Sequence, residues 1–514
     1  MTVGRTVVIG EQRFDGVLFF PAPASNLVHR IHATGRPDVL HVSTDDLSRT
    51  AHIRQALIDR IGEARHKVFF CSFLFADDEI VKALCAASER LRGGVYVLTA
   101  LGKHLRAEVL EPDAEVDANT AKLQERARRH DEHLQRLADA GVWLRSAEDC
   151  HAKFCVVDDA IAIVTSANAT QEAYESNPED GLVVHSPPVA RELGRLFAHV
   201  WQHFTTLEST PGTRLDVHTL PTTRKSPWTP LTSCDGIDPV VTLREDEHSL
   251  VRAAIDVIDS AQQRLRIATY SLMGMETHPI GDALRRAVVE RGVEIELLLQ
   301  PRNHIAAQSL TCAWLVGLAP SRVHLHGHRR THTKSIVADD QVVLLWTGNL
   351  EAAHGWDDGI EVGLKVTDPK VAAAVAGWTS DVMLRETHVA LVSPTVREVV
   401  EIGQPNSLTG DWLLHLPAST LDRVADAVER RPLELLEWRG GLIFRCGDRL
   451  LFDARINESA RRIDGQNFRR VERLAGSRSL GWVSSCTLHL IPEAERPREQ
   501  PRGPRQQNRR GRNR

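Results

Sequence analysis

Two nine-residue strings of the chain share the same sparse pattern of polar residues. "HAKFCVVDD" begins at His151 and "HTKSIVADD" at His332, and in each string a Lys follows the His by two residues and an Asp follows it by seven. The shared residues are His151, Lys153 and Asp158 in the first string and His332, Lys334 and Asp339 in the second. Side chains two residues apart point to the same face of an extended strand. Each string therefore predicts an imidazole and an ammonium group side by side.

A second polar pair follows each string. Ser166 and Asn168 follow the first and Thr347 and Asn349 the second, and the interval from Asp to Asn is ten residues in both cases. A hairpin of this length can bring the His, Lys, hydroxyl and amide groups together. The last three are donors suited to the non-bridging oxygens of a phosphate, and His is the side chain that moves a proton near neutral pH.

Two copies of the pattern supply two imidazoles, which is the number that cleavage of a phosphodiester by covalent catalysis requires. One imidazole attacks phosphorus while the other protonates the leaving oxygen. Water then displaces the phosphohistidine, with the second imidazole acting as base. Because two Lys already neutralise the phosphate, we expect neither a metal nor another cofactor.

The two strings occupy corresponding places in a repeated series of strands and helices. Residues 67–100 and 264–299 each read as a strand, a polar loop, an amphipathic helix and a second strand. Helical patterns precede these stretches and close each half, at 47–65, 188–204, 247–263 and 369–384. Strands that alternate with helices predict α/β units, and duplication of one unit is the simplest account of the similarity.

The repeat also divides the chain into regions. We assign a β-rich N-terminal segment to 1–45, a first half to 46–210, a linker to 211–243, a second half to 244–390, a small α+β domain to 391–492 and a disordered Arg-rich tail to 493–514. The linker contains the Pro-, Thr- and Ser-rich stretch 219–236. In the small domain we predict a helix at 419–431, followed by three strands.

The repeated pattern resembles the signature of the phospholipase D superfamily, H-x-K-x-x-x-x-D followed by G-S-x-N. Here Thr165 and Trp346 stand where the family has Gly, and Thr347 stands where it has Ser. The resemblance implies an α/β fold of two pseudo-symmetric α/β/α halves that share one active site. A bulky Trp346 could narrow that cleft or pack in the core.

The resemblance also implies roles for individual residues. An acidic residue in an N-x-E-x-G context orients the motif His in the family; Glu179 in "NPEDG" matches it and Glu361 in "GIEVG" matches it in part, 28 and 29 residues after the His of their own half. By resemblance His151 is the nucleophile and His332 the general acid and base. Asp158 and Asp339 are by resemblance structural residues that hold the hairpin.

Other polar residues near the motifs have simpler interpretations. Arg329 and Arg330, in "HLHGHRRTH", form a basic stretch available to a phosphate. The alternating His residues there could bind a metal, but no Cys or carboxylate accompanies them at ligand spacing. Cys150 and Cys155 flank the first motif; a small buried residue is favoured over a redox switch.

Composition narrows the class of substrate. The net charge is −5 although the tail alone carries +5, so any phosphate-binding cleft must be locally basic, and the tail could tether an anionic polymer. The sequence contains no run of eighteen apolar residues, so we expect no membrane span. No signal peptide is recognisable. The eight scattered Cys are typical of a reducing cytoplasm.

These features favour a cytoplasmic nuclease that cleaves DNA or RNA, in DNA processing or in defence against foreign DNA. A phospholipase D or phosphatidyltransferase acting on lipid head groups is the first alternative. A catalytically silent nucleic-acid-binding protein is the second. Residues 391–492 could bind protein partners, and the oligomeric state stays open.

Overall fold

The computed structural model describes residues 17–21, 36–44, 52–102, 116–212, 215–221, 226–301, 305–385 and 387–393, and the strands 433–438, 441–446, 449–453 and 491–492. The helix expected at 419–431 and the tail at 493–514 lie outside the described residues.

The first part of the chain alternates strands with helices, as the sequence predicts. Its strands are β1 Val17–Pro21, β2 Val39–Ser43, β3 Val68–Cys71, β4 Phe75–Ala76, β5 Val95–Leu98, β6 Trp143–Ala147, β7 Phe154–Val157, β8 Ile161–Thr165, β9 Ala169–Thr170, β10 Asp180–Val184, β11 Thr205–Ser209 and β12 Val217–Thr219. Its helices are Ile53–Glu63, Asp78–Arg90, Val116–Asp139, Gln171–Glu175 and Pro187–His203.

The second part repeats this series. Its strands are β13 Ile237–Leu243, β14 Arg264–Ala268, β15 Leu272–Met273, β16 Glu294–Leu299, β17 Val323–His328, β18 Ser335–Ala338, β19 Val342–Trp346, β20 Leu350–Glu351, β21 Ile360–Thr367 and β22 Thr387–Val392. Its helices are Ser249–Ser260, Met275–Thr277 (3₁₀), Pro279–Arg285 continuing as a π-helical turn Arg286–Glu290, Ile305–Leu318, the π-helical turn Ala352–Asp357 and Pro369–Met383.

Each half contains a large mixed sheet, and the two sheets have the same strand order. Among the described residues the first runs β12-β11-β6-β5-β3-β7-β8-β10-β2 and the second β1-β22-β17-β16-β14-β18-β19-β21-β13. In both, the central three strands are parallel (β3, β5 and β6; β14, β16 and β17), and the motif strand is antiparallel to the first of them (β7 to β3; β18 to β14). The structure thus contains the two pseudo-symmetric α/β halves.

The edges of the sheets come from segments that we assigned outside the halves. From the N-terminal segment, β1 pairs with β22 of the second half and β2 pairs with β10 of the first. From the linker, β13 pairs with β21, in the place that β2 has in the first sheet. Each of these strands pairs with a segment that is distant in the chain, so the sequence pattern does not show which sheet it joins.

One buried apolar cluster joins the halves. It includes Val164 and Phe197 of the first half and Val343 and Val375 of the second. Phe197 and Val375 belong to the closing helices Pro187–His203 and Pro369–Met383. The interface between the halves is therefore part of the core, and groups placed there are held rigidly.

A separate compact unit contains β23 Leu433–Trp438, β24 Gly441–Cys446, β25 Arg449–Asp453 and β26 Ile491–Pro492. These strands form an antiparallel sheet in that order. The first three coincide with the predicted strands. Within the described part of the chain, no helix has the length and apolar character needed to cross a membrane.

Candidate active site

The motif segments lie at the carboxyl ends of the central parallel strands. Residues 151–153 directly precede β7 and residues 332–334 directly precede β18. Because β7 and β18 run antiparallel to β3 and β14, their first residues pair with the last residues of those strands, Phe154 with Cys71 and Ser335 with Ala268. The sequence predicts that each His and Lys lie within a strand. In the structure they lie in the three residues before the strand, at the sheet edge where the halves meet.

Backbone hydrogen bonds connect each motif to the other half. The N–H of His151 donates to the carbonyl of Ile360 over 3.2 Å, and the N–H of His332 donates to the carbonyl of Pro178 over 3.0 Å. These carbonyls belong to the residues directly before Glu361 and Glu179. Each acidic residue is thereby fixed beside the motif of the opposite half.

The side chains follow the same exchange. His151 Nδ1 lies 2.9 Å from Glu361 Oε1, and His332 Nδ1 lies 2.8 Å from Glu179 Oε1. From the sequence intervals we predicted that each Glu lies beside the His of its own half. This prediction is wrong, because each Glu contacts the His of the opposite half. Glu179 directly precedes β10 and Glu361 is the second residue of β21, where the chain meets the other half rather than its own motif.

Each carboxylate is held by a buried hydroxyl. Ser166 Oγ donates to Glu179 Oε2 over 2.5 Å and accepts the N–H of Asp180 over 3.0 Å. Thr347 Oγ1 donates to Glu361 Oε2 in the same way and accepts the N–H of Val362 over 3.0 Å. We expected these hydroxyls to bind phosphate, but their protons are used to fix the carboxylates. Thr347 replaces Ser without loss because only the hydroxyl takes part.

The two Lys side chains are almost inaccessible, at 1% exposure for Lys153 and 0% for Lys334. Lys153 Nζ lies 3.0 Å from His151 Nε2 and 3.4 Å from the carbonyl oxygen of Thr347 in the other half. Lys334 Nζ lies 3.2 Å from His332 Nδ1. Each ammonium group thus accompanies its imidazole, as the spacing predicts.

Burial and neighbouring charges shift the acidity of this cluster. Burial lowers the pKa of Lys153, and lowers that of Lys334 to about 7, although the carboxylates of both halves oppose the change. Burial raises the pKa of Glu179 to about 8. Burial also favours a higher pKa for Glu361, but His151 and Lys153 outweigh it and the pKa falls.

The imidazole of His151 is influenced by charged groups of both halves. Its pKa is lowered by burial, by Lys153 of its own half and by Lys334 of the other. Charges of both halves therefore act on the same group, which is the expected behaviour of one shared site. A neutral ring bonded through Nδ1 to an ionised carboxylate presents Nε2 as its nucleophilic nitrogen.

The amide residues retain hydrogen-bonding capacity. Asn168 Oδ1 and Asn349 Oδ1 are buried and have no hydrogen-bond partner among the described residues. Asn349 Nδ2 donates to Glu351 Oε1 over 3.0 Å. Buried polar atoms are rarely left unpaired, so these amides are candidates to bind a ligand.

The motif Asp residues lie at the other end of the hairpins. Asp158 accepts the backbone N–H groups of Arg65, His66 and Lys67 over 2.6, 2.8 and 2.9 Å. Asp339 accepts those of Gln262, Gln263 and Arg264 over 2.7, 3.0 and 2.7 Å. Both stand in a left-handed turn, with φ of 54° and 50°. Their carboxylates anchor the chain that enters β3 and β14, and take no part in the cluster of His, Lys and Glu.

Trp346 is buried, whereas Arg329 and Arg330 are exposed. Trp346 is fully buried, with its ring centroid 5.4 Å from that of Trp356, so it packs in the core. Trp356 Nε1 in turn donates to the carbonyl of Asn349 over 2.7 Å. Arg329 and Arg330 are exposed in the turn that leads from β17 towards His332.

Two aromatic residues next to the imidazoles were missed. The ring of Phe73 lies 6.1 Å from that of His151, and the ring of Tyr270 lies 4.8 Å from that of His332. Each stands two residues after its strand, β3 or β14. Aligning the halves on those strands would have revealed the shared aromatic position.

The arrangement matches known proteins. A family model described as "Cardiolipin synthase, PLD-like domain" matches residues 57–201 and 254–382, more than half of the chain. The 5'-3' exonuclease PLD3 of Macaca fascicularis is 29% identical over 229 residues, 40% of this chain and 46% of that protein. Cardiolipin synthase A of Buchnera aphidicola is 24% identical over 266 residues, 48% of this chain and 50% of that protein. The chain spans about half the length of these two relatives.

A solved structure supports the fold independently of sequence. The phosphatidylserine synthase of Haemophilus influenzae superposes with a TM-score of 0.50 at 14% identity, covering 74% of this chain and 92% of the synthase. Two halves with identical strand order, two copies of the His, Lys and Asn pattern at their junction and a family model that matches both halves lead to one conclusion. The chain belongs to the phospholipase D superfamily, whose members act on phosphodiester bonds.

Proposed function

We propose that the protein is a nuclease that cleaves DNA or RNA through a phosphohistidine on His151, without a metal ion. The observation that carries this proposal is the exchange of partners at the junction, where Nδ1 of His151 and Nδ1 of His332 lie 2.9 and 2.8 Å from a carboxylate oxygen of the opposite half. Two oriented imidazoles beside two buried Lys are the groups that a double displacement at phosphorus needs.

In the first step, His151 Nε2 attacks phosphorus and the bond from phosphorus to the leaving oxygen breaks. His332 donates a proton to that oxygen. In the second step, His332 accepts a proton from water, the water oxygen bonds to phosphorus and the bond from phosphorus to Nε2 breaks. Lys153 and Lys334 offset the negative charge of the phosphoryl oxygens in both steps.

The difference between the two Glu residues supports this division of labour. The low pKa of Glu361 keeps a negative charge on the partner of His151, where positive charge develops during attack. The raised pKa of Glu179 makes its pair with His332 a reservoir for a proton near neutral pH. A nucleophile and an acid need these opposite environments.

Three observations favour a nucleic acid as substrate. Exposed Arg329 and Arg330 lie close in sequence to His332, where they could bind neighbouring phosphates. Phe73 and Tyr270 stand beside the imidazoles, and aromatic rings stack on bases. The exonuclease relative is the third.

A lipid substrate is the second candidate, favoured by the similarity to cardiolipin synthase A over 48% of the chain. The catalytically silent alternative rested on Trp346, and its burial in the core removes that reason.

The test is a substrate panel in excess chelator: single- and double-stranded DNA labelled at either end, RNA, bis-(p-nitrophenyl) phosphate, and vesicles of phosphatidylcholine and phosphatidylglycerol. We expect cleavage of nucleic acid and of the generic ester, absent in His151→Ala. Turnover of lipid alone would replace the nuclease with the lipid enzyme. Binding of nucleic acid without turnover of any substrate would favour the silent protein, and activity only after a metal is restored would contradict the metal-free mechanism.

A trapping experiment tests the nucleophile. With bis-(p-nitrophenyl) phosphate the leaving group needs no proton, so His332→Ala should accumulate the phosphohistidine because its hydrolysis lacks a base. His151→Ala should form none. A phosphorylated peptide that contains residue 332 instead of 151 would reverse the assignment.

A further inference from the structure

Two free thiols lie beside the proposed nucleophile. Cys71 is the last residue of β3 and Cys150 directly precedes His151, and their Sγ atoms are 3.7 Å apart. The bond in a disulfide is about 2.05 Å long, so the two sulfur atoms must approach by roughly 1.7 Å to form one. No other segment of chain has to move aside, since the thiols already touch.

The two residues differ in their attachment to the fold. Cys71 is buried, paired in register with Phe154, and its thiol donates to the carbonyl of Ala152 over 3.2 Å. Cys150 is partly exposed and belongs to the loop between β6 and the first motif. A bond between them would draw the loop residue towards the fixed strand.

The loop residue is also a link to the second half. Cys150 forms a β-bridge with Ile360, and the next N–H, of His151, donates to the Ile360 carbonyl. Moving Cys150 towards β3 therefore pulls the His151 backbone away from the segment that carries Glu361. The catalytic pair is the contact most sensitive to this displacement, because its partners sit on opposite sides of the junction.

The exposures of the thiols set the order of events. Cys150 reaches solvent and meets an oxidant first, whereas burial raises the pKa of Cys71 far above the ordinary thiol value and keeps it unreactive on its own. With hydrogen peroxide, the Cys150 thiolate attacks one oxygen, the O–O bond breaks, and sulfenic acid and water form. The Cys71 thiol, held in contact with that sulfur, then gives its proton to the departing hydroxyl group as the two sulfur atoms bond, giving a disulfide and a second water. Two thiols are oxidised and one peroxide is reduced.

We propose that Cys71 and Cys150 form a reversible disulfide with hydroperoxides, and that this modification separates His151 from Glu361 and turns the site off. The effect on activity rests on the proposed function of His151; formation of the disulfide does not.

The test treats the intact protein with hydrogen peroxide, blocks remaining thiols, and maps peptides by mass spectrometry without reduction. We expect a peptide pair linked through Cys71 and Cys150. Hydrolysis of bis-(p-nitrophenyl) phosphate should fall at least about tenfold, the scale for losing an oriented catalytic partner, and recover with dithiothreitol. Binding of inorganic vanadate, a phosphate mimic, should weaken in parallel.

Variants separate the alternatives. Cys150→Ser should keep its basal activity and resist inactivation by peroxide. Cys71→Ala should also resist lasting inactivation. Cys85→Ser changes a partly buried thiol away from this pair; it is the matched control and should behave as the parent protein does. Equal loss in Cys71→Ala would show that sulfenic acid at Cys150 suffices and would overturn the disulfide. Absence of the linked peptide overturns it directly, and a linked peptide with unchanged vanadate binding and turnover overturns the switch. If the parent protein hydrolyses no substrate, the linked peptide and the change in vanadate binding can still be measured. Failure of the proposed function is therefore distinguished from failure of this inference.

Discussion

The imidazole of His151 and the carboxylate of Glu361 lie 2.9 Å apart although 210 residues separate them in the chain. The converse pair, His332 and Glu179, lies 2.8 Å apart. Each half thus supplies a carboxylate to the imidazole of the other, and the proposed active site lies at the junction between the halves. A carboxylate bonded to Nδ1 fixes both the tautomer and the direction of the ring.

Glu361→Gln should slow formation of the phosphohistidine by up to about 10⁴-fold, the scale for loss of the carboxylate that orients a catalytic imidazole. The amide keeps the shape of the side chain but cannot stabilise positive charge on His151. The measurement is rapid-quench labelling with bis-(p-nitrophenyl) phosphate. Glu179→Gln should leave this step nearly unchanged, because its partner is His332 and the leaving group needs no acid.

Glu175→Gln is the control for that pair of variants, since Glu175 is an exposed carboxylate bonded to Arg54. If Glu179→Gln slowed labelling of His151 as strongly as Glu361→Gln, the carboxylates would act by proximity to the whole cluster, and the specific pairing would be contradicted.

Glu179 should make folding stability depend on pH. Burial raises its pKa from 4.5 in the unfolded chain to about 8, so the folded state holds the proton more tightly. The stability that this group contributes is fully present below pH 4.5 and is lost as the pH rises through about 8. Gln resembles the protonated form, so Glu179→Gln should gain free energy of unfolding relative to the parent as the pH increases.

Urea unfolding at about pH 5, 7 and 9, a series that spans the pKa of about 8 in the folded state, measures that difference. Glu63→Gln, at a surface position, should show a constant difference. A constant difference for Glu179→Gln as well would mean that the buried carboxyl is ionised throughout.

Asp158→Asn should destabilise the fold by about 1–3 kcal/mol, because three backbone N–H groups lose a charged acceptor. Partial burial alone would raise the pKa of Asp158, but the hydrogen bonds from Lys67, Arg65 and His66 outweigh it and lower the pKa. The contribution is therefore present above the ordinary Asp pKa and is lost on acidification. Asp158→Ala should cost more, since a φ of 54° is strained for Ala.

Asp159→Asn is the matched substitution, at the next residue of the same turn, where the carboxylate pairs with Lys67 over 2.9 Å at the surface. Its cost should stay below about 1 kcal/mol. Denaturant melts compare the two, and equal costs would show that the turn itself, and not the anchoring of the N–H groups, is what Asp158 provides.

Trp346→Gly, which restores the residue of the family signature, should destabilise the protein by about 3–5 kcal/mol, the cost of emptying a large buried site. Trp346→Phe should cost less, and Trp143→Ala, at an exposed ring, little. Turnover per folded molecule should not rise in Trp346→Gly. A stable variant with higher turnover would mean that Trp346 narrows the cleft after all.

The residues of the cluster were predictable because their types and intervals repeat, and a repeat of polar residues within apolar strands is hard to explain by folding alone. The exchange of Glu179 and Glu361 was not, because an interval along the chain does not say which half a side chain will face. Ser166 and Thr347 were assigned to phosphate on their chemistry; the structure uses their single protons on the carboxylates.

The fold shows the same division. The sequence identifies both central strands, β3 as the apolar run VFFC and β14 as RLRIA, in which Arg alternates with apolar residues. The edge strands β1, β2 and β13 are also rich in apolar residues, but the sheet that each one joins is decided by pairing with a distant segment. Phe73 and Tyr270 escaped notice because one aromatic residue after an apolar strand is usual in any core.

Because each imidazole has its carboxylate partner in the other half, neither half contains a complete His–Glu pair of its own. A chain with Glu179 removed and a chain with His332 removed fail at the same catalytic pair, whereas a lesion at His151 and one at Glu179 injure different pairs. Loss of the acidic residue from one copy of the repeat removes the partner of the imidazole in the other copy. A constraint on one copy is therefore also a constraint on the other. Trp346 packs against Trp356 outside these pairs, and there the two copies differ, since Thr165 stands at the corresponding position of the first half.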